Sequence, residues 1–73
     1  MTTAELLRAV RAHFEAAETA RRAGGSYDAG EGSPAARAIE AAARNMKAAG
    51  FTPDLIMSTF RDLARDVVKS HRA

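Results

Sequence analysis

The sequence predicts an all-α protein: a small three-helix bundle with a flexible Gly-rich linker between helices 1 and 2 and a tight hairpin between helices 2 and 3. Three observations predict it. Apolar residues recur at spacings of three and four, the period of one helix face. Two hydroxyl-proline pairs, Ser33-Pro34 and Thr52-Pro53, each mark a helix start. No segment alternates in the manner of a strand.

The first helix is expected over about residues 3–23. Thr2 followed by Glu5 is a capping-box pattern, in which hydroxyl and carboxylate each satisfy a free amide of the first turn. Leu6, Leu7, Val10, Phe14 and Ala17 then line one face. Arg21 and Arg22 suit the negative pole of the helix, and Gly24 and Gly25 stop it.

Residues 24–33 are too polar and too rich in glycine for helix or strand and read as the linker. Tyr27 is its only large side chain. An exposed aromatic anchor between Asp28 and Glu31 is one account; a ring folded back over the bundle end is preferred, because small domains recruit aromatic rings as cover.

The second helix is expected over about residues 34–49 and the third over about 53–71. A hydroxyl caps each, and proline in the first turn loses no hydrogen bond because its N–H would have been unpaired there. Gly50 is the left-handed stop between them, and Phe51 is placed to pack back on Met46 or Ile39.

The two helices differ sharply in side-chain mass. Helix 2 has Ile39 and Met46 as its only large apolar residues, with Ala35, Ala38, Ala42, Ala43 and Ala49 around them, and reads as filler that lies close to its neighbours. Helix 3 places Ile56, Met57, Phe60, Leu63, Ala64, Val67 and Val68 on one broad arc and leaves Leu55 well away from it. Asp54, Arg61, Asp62, Arg65, Asp66 and Lys69 form its polar face.

Residues 1–73 make one domain. Below about 80 residues a core rarely supplies more than about 3–5 kcal/mol, and disulfides, a metal or oligomerisation are the usual staples. Cysteine is absent, which removes disulfides and fits a reducing cytoplasm. His13 and His71 lack partners at ligand spacing, so neither a metal nor another cofactor is expected. Met1 to Leu7 lacks the pattern of a signal peptide, and no stretch approaches the roughly 20 apolar residues of a membrane span. A cytoplasmic protein without membrane contact is expected, and the wealth of Ala and Arg is compatible with a small bacterial or phage protein.

Enzyme chemistry is not expected, and no catalytic residue is assigned. Glu15 and Glu18 share a face, yet exposed helix carboxylates are usually solubilising, and Glu18 has Arg22 four residues on. What remains is the surplus apolar arc of helix 3. The sequence therefore predicts a non-enzymatic protein–protein interaction module, a homodimer, adaptor or inhibitor, with Leu55, Met57, Phe60, Ala64 and Val68 as apolar anchors and Arg61 and Arg65 setting orientation.

The alternative is a DNA-binding regulator using helices 2 and 3. Gly50-Phe51-Thr52 followed by Ile56 resembles the turn and first recognition-helix residues of the helix-turn-helix family, which implies that helix 3 enters the major groove. Arg61, Arg65, Lys69 and Arg72 would then follow phosphates. Against this stand Met46, where the family has a small residue, and Asp54, Leu55 and Met57, a poor set for reading bases. The net charge of +2 is also modest.

Overall fold

In the computed structural model, which describes residues 1–72, the chain forms α1 (Thr3–Arg22), α2 (Pro34–Ala48) and α3 (Pro53–Arg72). Each predicted boundary falls within one residue of these. The capping box at Thr2 is complete: the Glu5 amide donates to the Thr2 hydroxyl and the Thr2 amide to the Glu5 carboxylate, both at 3.1 Å. Ser33 accepts from the Ala36 amide at 3.1 Å, and Thr52 from the Leu55 amide at 3.2 Å.

The α2–α3 turn closes by the Schellman pattern. Gly50, at φ +96°, donates to Lys47 O at 3.0 Å, and Phe51 donates to Met46 O at 2.9 Å. Phe51 thereby turns inward against the buried cluster that contains Met46, as the spacing predicts.

Helix α1 is the spine of the bundle. It packs on both other helices, whereas α2 and α3 meet each other over the least extent. The hairpin is tight at its turn, and its two arms spread to embrace α1. Thr3 at the start of α1 donates to Asn45 near the end of α2, and Arg11 and Thr19 reach Asp66 and His71 in the second half of α3. The helices therefore run up, down and up.

Val10, Ala42 and Met46 are fully buried at the centre, with Leu6, Leu7, Phe14, Ile39, Ile56, Phe60 and Leu63 packed round them. Helix α2 is thus less of a filler than its alanine content predicts. Its few large side chains point inward, and Met46 is among the largest fully buried groups of the molecule. Ala42 belongs to that core, whereas Ala43 lines an open space beside α3.

Candidate functional site

That space is an open groove of about 420 Å³ between α2 and α3 at the hairpin end. Ala43, Phe51, Pro53, Ile56 and Met57 supply its apolar lining, and Arg44 and Lys47 of α2 are its only polar residues. Its origin is local. Ala43 ends at Cβ where a longer side chain would meet α3, and the Schellman turn holds Phe51 and Pro53 at the closed end. Met57 stands at its edge with 69% of its surface exposed.

Seven residues of the predicted docking face are distributed unevenly. At about 100° per residue, Met57, Arg61, Ala64, Arg65 and Val68 share one side of α3, with Phe60 at the margin nearest the core. Arg61 and Arg65 are exposed, and Phe60, Ala64 and Val68 are half-buried. Phe60 packs on the central cluster and is core before it is surface. Ala64 and Val68 line a second, shallower groove of about 230 Å³ against α1, with Phe14, Ala17 and Glu18 opposite. Leu55 is half-exposed, at 49%, but lies about 160° round the helix from Met57. A single flat partner cannot cover both.

The groove residues on α2 and in the turn were not part of the predicted face. Ala43, Arg44 and Lys47 are unremarkable as a pattern, and only the shallow contact between α2 and α3 makes them neighbours of Met57. The signal available in the sequence was the run of alanines leading to a turn with Phe and Pro, a place where bulk is missing beside bulk.

Several titratable groups of α1 and the end of α3 are engaged in structural contacts. Glu15 accepts from Arg11 Nε at 3.1 Å, while Glu18 accepts from Arg21 at 2.5 and 3.1 Å, so each of the two glutamates is engaged by a different arginine. Arg22, four residues on, stands 3.8 Å from Glu18 as a second cation. Glu18 is only 5% exposed, and the hydrogen bonds from Arg21 hold its pKa below the ordinary glutamate value despite desolvation, with the charges of Arg21, Arg22 and His71 assisting. Arg21 is correspondingly raised by Glu18.

His71 donates from Nδ1 to Val67 O at 3.0 Å and shares a 3.3 Å hydrogen bond with the Thr19 hydroxyl through Nε2, tying α3 to α1. Tyr27 is folded back, but onto the flank of α1: its hydroxyl lies 2.7 Å from His13 Nδ1, and the ring centroids are 6.0 Å apart. The linker is anchored by that contact and by the Gly30 amide donating to Asp28 Oδ1 at 3.1 Å. Among the described residues, no three His, Cys, Asp or Glu side chains converge as a metal site would require.

No family model, curated protein or solved structure matches this chain. No helix among the described residues is long and apolar enough to cross a membrane.

Proposed function

We infer that the protein is a non-enzymatic interaction module that docks on another polypeptide through the Met57 side of α3. The observation that carries this reading is the exposed Met57 beside an open apolar groove, in a molecule small enough that most other large apolar side chains are used in its core. Burying an apolar side chain of this size stabilises a complex by roughly 1.5–3 kcal/mol. Methionine suits such a surface because its flexible thioether adapts to varied partners. Arg61 and Arg65, one and two turns along the same side, would orient the partner.

Sedimentation velocity over a wide concentration range separates self-association from docking on a different chain. Met57→Glu should abolish either while helicity by circular dichroism is retained. Unfolding of that variant would return Met57 to the core and remove the reading.

Duplex DNA is a second reading, favoured by one observation. Arg61, Arg65 and Lys69, spaced by four, form no ion pairs among the described residues, and of the two acids that interrupt them in sequence Asp66 is held by Arg11, while Asp62 is exposed and in no ion pair. A salt-dependent shift of duplex DNA that disappears in an Arg61→Ala, Arg65→Ala double variant would support it. It ranks second because Asp54, Leu55 and Met57 occupy the turns that would meet base edges.

A further inference from the structure

Resting on the docking reading above, we propose that the α2–α3 groove takes an amphipathic helix with acidic flanks, contributed by a different protein. The juxtaposition of an apolar lining with Arg44 and Lys47 carries the proposal.

At about 420 Å³ the groove lies within the roughly 300–1,000 Å³ of clefts that hold ligands, and it is open along its length. Its lining is apolar from the closed end at Phe51 and Pro53 to the exposed edge at Met57. A groove between two helices receives another helix by taking apolar anchors spaced at three, four and seven residues. Among the described residues the protein has no strand, and therefore no sheet edge on which an extended peptide would add.

Charge selects the chemistry of that helix. Arg44 and Lys47 are exposed, three residues apart on one side of α2, and in no ion pair among the described residues. Arg61 continues the positive charge along α3, one turn beyond Met57. Of the carboxylates on these helices, Glu40 stands a turn before Arg44 and Asp54 a turn before Met57; like Arg61, neither lines the groove, whose own charged residues are Arg44 and Lys47. An occupant with Asp or Glu beside its apolar stripe neutralises the rim as its anchors fill the floor. A basic occupant meets like charge on the α2 wall. A second copy of this chain is the poorer match, because a two-fold contact through the groove brings the same cations from both sides.

The test uses two synthetic peptides of about 18 residues, long enough to hold a helix. Both carry the same leucine stripe; one has Glu on the flanks and the other Lys. Fluorescence anisotropy should show the acidic peptide binding the intact protein and the basic one binding at least about tenfold more weakly. The double charge reversal Arg44→Glu with Lys47→Glu should invert that order without loss of helicity. Raised salt should weaken the acidic peptide only.

Equal binding of both peptides, lost in Met57→Glu but indifferent to the charge reversal, overturns the acidic partner and leaves the docking reading intact. Absence of peptide binding together with a concentration-dependent dimer lost in Met57→Glu overturns the proposal in favour of self-association. Binding of either peptide that survives Met57→Glu overturns both readings.

Discussion

Arg11 in α1 donates to the carboxylate of Asp66 in α3 at 2.5 Å, and its other amine reaches the Ser70 hydroxyl at 3.3 Å. The same guanidinium also pairs with Glu15 at 3.1 Å, so one side chain links the spine to the third helix. The Asp66 hydrogen bond is the foremost cause that raises the Arg11 pKa. The contact is largely solvent-exposed and screened by salt. Asp66→Asn should lower thermal stability slightly at low ionic strength, and the difference from the parent should shrink in high salt. Melts at two salt concentrations check this.

Glu18 links stability to pH. Its pKa is lowered in the fold, chiefly by the Arg21 hydrogen bonds, so the unfolded chain binds more protons through the acidic range and stability rises with pH there. The contribution is complete above the ordinary glutamate value of about 4.3 and is lost as pH falls through the lower folded value. Glu5, lowered by its hydrogen bonds with Thr2, adds in the same direction. Glu18→Gln should therefore be less stable than the parent at neutral pH, with the two melting temperatures converging in strong acid.

Met46 is fully buried among side chains from all three helices. Met46→Ala should cost about 2–5 kcal/mol, the usual range for deleting a long core side chain. A core of this size supplies about 3–5 kcal/mol in total. The variant should lose most of its stability, read as a large fall in the urea midpoint of helicity.

Gly50 has φ +96°, and a Cβ placed there meets no atom within 4 Å. Its substitution cost is therefore conformational, not steric crowding by neighbours. Gly50→Ala should lose about 1–2 kcal/mol, and Gly50→Asn, which tolerates the left-handed region better, should lose less. Chemical denaturation of both variants compares them.

Leu55 and Met57 are the two exposed large hydrophobic side chains of α3 among the described residues, on opposite sides of it. Glutamate at either position should change stability by no more than about 0.5 kcal/mol, as is usual for surface sites. Only Met57→Glu should weaken binding of the acidic peptide. An equal effect of Leu55→Glu would place the interface on the far side of the helix.

The three helices were legible because their ends are written in local chemistry. A hydroxyl that satisfies a free amide, a proline that lacks one and a glycine that reverses the chain act within four residues, at Thr2, Ser33, Thr52 and Gly50. Periodicity likewise marked Val10 and Phe14 as inward-facing, since a helix of known pitch fixes which residues share a side, whereas Phe60, expected as a docking anchor, belongs to the core. Tyr27 was only partly legible: its folding back follows from the need to cover an aromatic ring, but its partner, His13, follows from where the linker crosses α1.

Sequence alone thus determined the fold class, the helix limits and the surplus of apolar bulk on α3 over α2. The tertiary structure decided where that surplus comes to the surface. Helix pitch does not set how far two helices diverge; that depends on the side chains each buries against α1, the spine they share. Because α2 and α3 both turn their bulk toward α1, Ala43 is left beside Met57 with a gap between the helices, and the gap becomes a groove with Arg44 and Lys47 on its wall.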